Sequence, residues 1–276
     1  MPDREIESWV NGSPGQQLSV RDRGLAYGDG VFETVRVTHS GPVLLDFHLQ
    51  RLRQGLRQLA LDHDWEPLEA EIHAYPGWSE PGVVKLVVTR GEGGRGYASD
   101  GVRGPNRIFT HHPAPAYPPH WAVKGIRVFP CQTRLAPNPL LAGVKHLNRL
   151  EQVLARREWG AESFQEGLMR DTDGHLVEGV FSNLFMVQGQ TVVTPALDSC
   201  GVAGVMRRWL LEEFSRHGWQ VVSGTLGQSS LQLADEWFFC NSVYGIWPVR
   251  EWQQRQWPVG AVTRQAQQWV TDRWQL

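Results

Sequence analysis

The first half of the chain combines strand-like segments with one clear helical pattern. Ser8–Val10 precedes an Asn-Gly turn, and Gly30–Val37 carries apolar residues at alternate positions, which is the period of a β-strand. Val83–Thr89 is dense in β-branched residues, and Arg107–Thr110 has the pattern of its continuation after a loop. A helix with one apolar face, capped by Asp46, is predicted from four leucines at helical spacing: Leu49, Leu52, Leu56 and Leu59.

The second half of the chain predicts further strands and helices. A strand at Gly125–Phe129 leads to a helix that includes Leu147 and Leu154. Three consecutive strands are predicted as an antiparallel meander: Gly167–Arg170, Val180–Val187 and Thr191–Thr194. The remaining elements are a helix from Val205 to His217 that ends at Gly218, a strand at Gln220–Val222, a short helix near Ser230–Ala234, a strand at Glu236–Cys240 and a closing helix through Val262 and Val270.

The length and the position of a proline-rich stretch indicate two domains. A chain of 276 residues suits one large or two modest domains, and His112–His120 has the composition of a linker. We predict a small α+β domain over residues 1–115, a linker at 116–123, and a larger domain at 124–276. The predicted fold class is α+β, with the second domain rich in antiparallel and mixed β-structure.

Composition restricts the class of protein. Hydrophobic residues make up 41% and charged residues 20%, which is typical of a globular protein, and the net charge of -2 gives no general attraction to nucleic acid or anionic membrane. The amino terminus lacks the basic and apolar regions of a signal peptide, and no run is long enough to span a membrane. The three cysteines are widely separated, so neither a disulfide framework nor a zinc site is indicated. We therefore predict a cytoplasmic protein that binds neither nucleic acid nor membrane.

One segment has an unusual charge. Gly101–Leu150 contains no Asp or Glu and seven Lys or Arg residues. This asymmetry indicates either a local site for anions or a cationic face balanced by acids elsewhere.

Several common motifs are incomplete. Gly91, Gly93 and Gly96 match G-x-G-x-x-G, but no helix is predicted after them, so a dinucleotide site is not indicated. None of the ten histidines forms an H-x-x-x-H or a Cys/His cluster, and we predict no metal site.

Three segments carry residues suited to chemistry. Lys145 is flanked by apolar and small residues, and a lysine that loses its proton on burial is a nucleophile suited to Schiff-base formation. Glu178 lies at the start of an apolar strand, where a carboxylate can pair with a pyridinium nitrogen. Gly201–Arg207 places small residues directly before a helix, an arrangement that can bind phosphate. Each feature also has a structural interpretation: a lysine that reaches solvent, a strand-end acid, and an ordinary helix start.

The order of these segments resembles the fold-type IV pyridoxal-phosphate enzymes, which include branched-chain and D-amino-acid aminotransferases and 4-amino-4-deoxychorismate lyase. Two segments, Thr89–Tyr97 and Asn138–Gln152, are similar to the aminodeoxychorismate lyase branch. The segments that carry the family resemblance are Arg21–Thr34, His48–Leu52, Lys145, Glu178 with Asn183–Phe185, Gly201–Arg207 and Ala234–Glu236.

The resemblance implies a set of cofactor contacts for pyridoxal 5'-phosphate. The implied contacts are Lys145 as the covalent attachment point, Glu178 at the ring nitrogen, Val202 against the ring, and Arg51, Ser242 and the backbone of Val205 and Met206 at the phosphate. At Phe164 the aminotransferases commonly have a tyrosine that bonds the phenolic oxygen of the cofactor. Phenylalanine cannot do so, which leaves Asn148 and Arg149 as candidate donors.

The resemblance also implies a reaction and a partner. A lyase of this branch would convert 4-amino-4-deoxychorismate to 4-aminobenzoate and pyruvate, with Lys145 as the base and Thr34 close to the substrate. Arg107, Arg95 and Tyr97 are candidate substrate-binding residues, because the substrate carries two carboxylates. The alternative is a D-amino-acid or branched-chain aminotransferase with the same cofactor. Family members are usually homodimers, so we expect a homodimer.

Overall fold

The computed structural model describes residues 8–61, 65–160 and 163–274, and these fall into two compact units. The first unit contains the described residues up to Pro115 together with Val144–Asn148; the second contains Ala116–Gly143 and the described chain from Arg149 onwards. Lys145 therefore packs with the first unit, although it lies within the stretch that the sequence assigns to the second domain. The prediction about a signal peptide rests partly on residues 1–7, which lie outside the described residues.

An antiparallel sheet of six strands forms the centre of the first unit, in the order β2-β1-β6-β5-β3-β4. Its strands are β1 (Ser8–Val10), β2 (Ser13–Pro14), β3 (Gly30–Thr38), β4 (Gly41–Pro42), β5 (Gly82–Thr89) and β6 (Asn106–His112). Its helices are α1 (Arg23–Tyr27), α2 (Leu45–Gln58) and α3 (Trp65–Ala74), followed by a 3-10 turn at Pro76–Ser79.

The apolar face of α2 covers this sheet. Leu49, Leu52 and Leu56 are at most 5% exposed and join one core with Val31 and Val35 of β3. The leucine spacing that predicts the helix also determines which side of it packs, because residues three and four apart lie on one face.

A sheet of nine strands forms the centre of the second unit. The order is β12-β11-β10-β13-β14-β7-β8-β9, with β15 paired to β14, and both parallel and antiparallel pairs occur. Its strands are β7 (Ile126–Leu135), β8 (Glu166–Asp171), β9 (Leu176–Gly179), β10 (Asn183–Gln188), β11 (Thr191–Pro195), β12 (Gln220–Gly224), β13 (Glu236–Asn241), β14 (Gly245–Trp252) and β15 (Arg255–Gln256). Its helices are α4 (His120–Lys124), α5 (Leu150–Arg156), α6 (Val205–Arg216), α7 (Gln228–Leu233) and α8 (Ala261–Trp274).

Both units combine sheets with helices, which confirms the predicted α+β class. Helix α6 is also confirmed: it spans Val205–Arg216 with His217 as its C-cap residue, and Gly218 follows with a φ of 80°, in the left-handed region that favours glycine. No helix among the described residues has both the length and the apolar character needed to cross a membrane.

The strand predicted over Val180–Val187 is present as β10, but its predicted start is three residues too early. The structure instead ends β9 at Gly179 and begins β10 at Asn183. The buried carboxyl of Glu166 lies at this break, where its Oε1 accepts the N–H of Val180 at 2.9 Å and its Oε2 lies 2.5 Å from the hydroxyl of Ser182. Because β9 ends at Gly179, Glu178 lies near the end of a strand and not at its start.

Two predicted helix starts are also wrong. Leu44, with a φ of 54°, precedes α2 as its N-cap residue, while Asp46 lies in the first turn. The helix predicted through Leu147 begins only at Leu150, because the N–H of Leu147 donates to Gly30 O of β3 at 3.0 Å.

Candidate active site

Lys145 lies on a segment that runs beside β3. The N–H of Phe32 donates to Lys145 O at 3.0 Å, and His146 forms an antiparallel bridge with Val31. The preceding Val144 is 4% exposed and packs into the core of the first unit. These contacts fix the backbone on both sides of Lys145, whose Nζ lies 4.3 Å from the centre of the Phe32 ring.

Thr34 lies on the same face of β3 as Phe32, because side chains alternate along a strand. The opposite position on β5 is Lys85, whose Nζ is 5.3 Å from the Phe32 ring centre. The hydroxyl of Thr34, the Phe32 ring and the amino groups of two lysines therefore lie on this side of the sheet in the first unit.

Arg51 is held by a buried acid. Its Nε donates to Glu33 Oε1 at 2.8 Å and its Nη2 to Glu33 Oε2 at 2.5 Å. His48 Nδ1 lies 2.5 Å from the same Oε2. Burial opposes the charge of Glu33, but Arg51 and His48 outweigh it and lower the pKa of this carboxyl to about 2.

Burial lowers the pKa of the His48 ring, against the opposing effect of Glu33, and so favours the neutral form of the ring. With Glu33 ionised, Nδ1 carries the proton and donates it, so Nε2 is left as an acceptor. Nε2 is buried and has no hydrogen-bond partner among the residues that the structure describes. A buried polar atom of this kind is normally satisfied, which indicates a polar group or water at Nε2.

Glu178 and a glycine turn are linked within the second unit. Glu178 is 3% exposed, and its Oε2 accepts the N–H of Val202 at 2.8 Å. Asn183 holds the same turn by donating from Nδ2 to Val202 O at 2.8 Å. Gly201 has a φ of 86°, and a Cβ on it would lie 3.3 Å from Glu178 Oε2. Glycine therefore permits both the turn and the close approach of the carboxylate.

The start of α6 lies beside this turn and has no side-chain cap from its N-cap residue. Gly204 is the N-cap residue and makes no side-chain cap, so the first N–H groups, at Val205 and Met206, have no capping side chain there. A Cβ on Gly204 would collide with Asn183 Oδ1. The turn therefore lies at the positive end of a twelve-residue helix, an arrangement that suits a phosphate.

Ser242 lies in the turn between β13 and β14 and is buried. Asn241 shapes this turn, because its Oδ1 accepts the N–H groups of Val243 and Tyr244, each at 2.9 Å.

Arg149 lies in the same unit. Burial lowers the pKa of its guanidinium, and the carboxylates of Glu178 and Glu151 oppose that shift. Asn148 belongs to the first unit and donates to Gly28 O at 3.1 Å.

The three candidate substrate-binding residues lie in the first unit, either in an ion pair with another residue or on an exposed loop. Arg107 pairs with Glu71 of α3 through Nε, at 2.5 Å. Arg95 and Tyr97 lie on an exposed loop, in which Arg23 donates to the carbonyl of Tyr97 at 3.0 Å. Tyr97 itself is 86% exposed.

The charge asymmetry of Gly101–Leu150 is at least partly balanced by acids from outside that segment. Arg107 pairs with Glu71, and Arg127 pairs with Glu251 at 3.0 Å. These pairs favour the cationic-face interpretation for those two residues.

Sequence reasoning missed several of these residues. Glu33 had a detectable signal, since a carboxylate occupies the position between Val31 and Val35 in an alternating strand. The contact of Asn183 with Val202, nineteen residues away, had no such signal because it depends on the tertiary fold.

Comparison with known proteins supports one family. The model of the family described as amino-transferase class IV matches residues 30–252. An aminodeoxychorismate lyase from Vibrio harveyi is 35% identical over 264 residues, which cover 94% of this chain and 97% of that relative. The crystal structure of 4-amino-4-deoxychorismate lyase from Pseudomonas aeruginosa is 52% identical with a TM-score of 0.93, covering 96% of this chain and 98% of that one. A branched-chain amino acid aminotransferase from Escherichia coli is 27% identical with a TM-score of 0.82, covering 96% and 93%.

Proposed function

The chain belongs to the amino-transferase class IV family, and on this premise we propose that it is a pyridoxal-phosphate-dependent lyase. Its reaction is the conversion of 4-amino-4-deoxychorismate to 4-aminobenzoate and pyruvate. The observation that carries this proposal is the similarity to an aminodeoxychorismate lyase over nearly the whole chain, at 52% identity, against 27% for the branched-chain aminotransferase.

Pyridoxal 5'-phosphate is the proposed cofactor, and each unit by itself offers groups suited to it. In the second unit, the uncapped start of α6 and the glycine turn offer backbone donors for the phosphate, namely at Val205 and Met206, with Ser242 as a further donor. In the first unit, Arg51 supplies a fixed guanidinium, and the buried Nε2 of His48, which has no hydrogen-bond partner among the described residues, can accept from a further polar group. Val202 is the residue that we propose against the ring.

Glu178 is the proposed partner of the ring nitrogen. When bound, the cofactor supplies an electron sink for a carbanion next to the substrate amine, provided that its ring nitrogen keeps a proton. A carboxylate that is 3% exposed and fixed by the N–H of Val202 is suited to hold that proton in place.

Lys145 is the proposed attachment point and base. Its Nζ takes the proton from C4 of the substrate, while the bond between C3 and the enolpyruvyl oxygen breaks and the ring becomes aromatic. Protonation of the departing enol gives pyruvate. The atoms of 4-aminobenzoate and pyruvate together equal those of the substrate, so the reaction needs neither water nor an oxidant.

Substrate binding is proposed on the face of β3 that carries Thr34. The substrate has two carboxylates, and the ammonium group of Lys85 near the Phe32 ring offers a cation there. Thr34 adds a hydroxyl that can orient the substrate. Arg107, Arg95 and Tyr97 remain proposed substrate contacts, and the ion pair of Arg107 with Glu71 would have to open for that role.

A homodimer is proposed as the assembled form. Helix α5 exposes three apolar residues on one face, and an apolar face of this kind favours burial against a second copy. These residues are Leu150, Val153 and Leu154, which are 75%, 52% and 53% exposed. A mass in solution near 31.2 kDa would contradict the dimer.

The cytoplasm is the proposed location. The three cysteines are free thiols, and burial raises the pKa of Cys131 to about 12. Free thiols are the usual state of cysteine in a reducing compartment.

The direct test follows both products. Purified protein is incubated with 4-amino-4-deoxychorismate, and 4-aminobenzoate and pyruvate are measured together. We expect equal amounts from the wild type and from Lys124→Ala, an exposed lysine used as control, and a loss of at least about a thousandfold in Lys145→Ala, which lacks the base. A protein that contains cofactor but forms neither product would contradict the lyase proposal, and D-alanine or leucine with 2-oxoglutarate would then test the aminotransferase alternative.

A further inference from the structure

Glu33 is a carboxylate at a core-facing position. Along β3, Val31, Val35 and Val37 face the apolar core shared with α2, and Glu33 lies in the same row with 2% exposure. Burying a charge among valines is costly unless it is paired and hydrogen-bonded. The position therefore calls for a specific set of partners.

Both partners of Glu33 come from one face of α2. His48 and Arg51 are three residues apart, so both side chains reach the same point on β3. Arg51 bonds both carboxylate oxygens through Nε and Nη2, at 2.8 and 2.5 Å, and His48 Nδ1 contacts Oε2. A bidentate pair fixes the plane of the guanidinium as well as its place.

We propose that Glu33 is a positioning residue for Arg51, with His48 fixing the rotation of the Glu33 carboxylate. Glu33 holds the Nε–Nη2 edge of the guanidinium, which fixes the orientation in which this group can meet a phosphate. Without this contact Arg51 would still be a cation, but on a flexible stem that must be ordered each time phosphate binds. The inference rests on the proposed function, in which Arg51 binds that phosphate.

The test compares two ligands that differ only in the phosphate. Full-length protein freed of cofactor is titrated with pyridoxal 5'-phosphate and with pyridoxal, and the ratio determined is the dissociation constant of pyridoxal divided by that of pyridoxal 5'-phosphate. Both ligands form the same bond with Lys145, so the ratio isolates the contribution of the phosphate group to the binding affinity. We expect Glu33→Gln to reduce the ratio by about tenfold, as pyridoxal phosphate binds more weakly and pyridoxal binds about as before. A general loss of structure would weaken both ligands and leave the ratio unchanged.

Three further variants separate the possible outcomes. Arg51→Lys should reduce the ratio, and adding Glu33→Gln to it should then change little, since Glu33 acts through Arg51. Glu251→Gln removes an acid that pairs with an arginine in the second unit and should leave the ratio unchanged.

The proposal is overturned if Arg51→Lys lowers the ratio and Glu33→Gln does not. If Arg51→Lys itself has no effect, the phosphate role of Arg51 is wrong, and the positioning role fails with it while the lyase proposal stands. If Glu33→Gln does not fold, Glu33→Asp is measured instead, because its shorter carboxylate cannot keep both bonds to Arg51. An unchanged ratio in that variant also overturns the proposal.

Discussion

Glu166 is an acid enclosed in the second unit, and its environment favours the neutral form. Burial raises its pKa to about 8, and the charge of Glu178 acts in the same direction, whereas hydrogen bonds from Ser182, Gly167 and Val180 oppose it. In the acid form, Oε1 can still accept both backbone N–H groups while the Oε2 hydroxyl donates to Ser182. Glu166 can therefore shape the break between β9 and β10 without adding a second negative charge near Glu178.

The buried acid predicts a pH dependence of stability. Its pKa is about 8 in the folded state and 4.5 in the unfolded chain, so the folded state binds an extra proton between these values. This contribution is complete below about pH 4.5 and is lost as the pH rises to about 8, by up to roughly 1.4 kcal/mol for each pH unit. Glu166→Gln should remove this loss. Between pH 5 and 8, the free energy of unfolding of the variant should therefore rise relative to that of the wild type.

Urea denaturation at several pH values measures this difference. Glu251→Gln, which removes a partly exposed acid, serves as control and should follow the wild type. Parallel pH profiles for Glu166→Gln and the wild type would show that Glu166 is already ionised in the folded protein.

At the scale of elements, the start of α6 is the clearest link between local structure and cofactor binding. Its N-cap is a glycine, and the side chain of Asn183 fills the space that a Cβ would need. Asn183 in turn holds the carbonyl of Val202, and the N–H of Val202 contacts Glu178. One substitution at the cap should therefore disturb the whole turn.

We predict that Gly204→Ala weakens binding of pyridoxal 5'-phosphate by about tenfold or more, because the new methyl group displaces Asn183. Gly227→Ala is a matched control. Gly227 is the N-cap of α7, and a Cβ there would meet only Ser229 Oγ, at 3.7 Å. Titration of the cofactor-free variants gives both affinities; equal affinities in the two variants would contradict the role assigned to this turn.

Elements with local signals were predictable from the sequence. Helix α6 combines helical spacing with a glycine after its last turn, and α2 shows its leucine face. The break at Val180–Ser182 was not predictable, because it depends on an acid fourteen residues earlier that becomes buried. Strand β14 was not predicted because it contains Pro248, which lacks a backbone N–H and argues against a strand. In the structure β14 nevertheless lies between β13 and β7.

The candidate site was predictable where the chemistry depends on residue type. Lys145, Glu178 and the glycines before α6 are candidates because their residue types suit Schiff-base formation, pairing with a ring nitrogen and phosphate binding. The family resemblance implies the same roles. Glu33, His48 and Asn183 act through tertiary contacts, so a single sequence gives little reason to choose them. The grouping of Lys145 with the first unit was unexpected as well, because the chain leaves that unit at Pro115 and re-enters it at Val144.

At the scale of the whole molecule, the family alone does not decide between a lyase and an aminotransferase. An aminotransferase transfers the amine to its cofactor in each cycle and stops unless a 2-oxo acid removes it. A lyase releases the amine with its product and regenerates its starting form without any acceptor. The presence or absence of a 2-oxo acid therefore separates the two reactions in one assay.

The most direct measurement is the number of turnovers per cofactor when 4-amino-4-deoxychorismate is the only reactant and pyruvate is removed by a coupled reduction to lactate. We predict many turnovers, with 4-aminobenzoate formed in proportion to the substrate consumed and the cofactor spectrum unchanged at the end. A reaction that stops after about one turnover per site, with the cofactor left in its amine form, would contradict the central claim that this protein is a lyase.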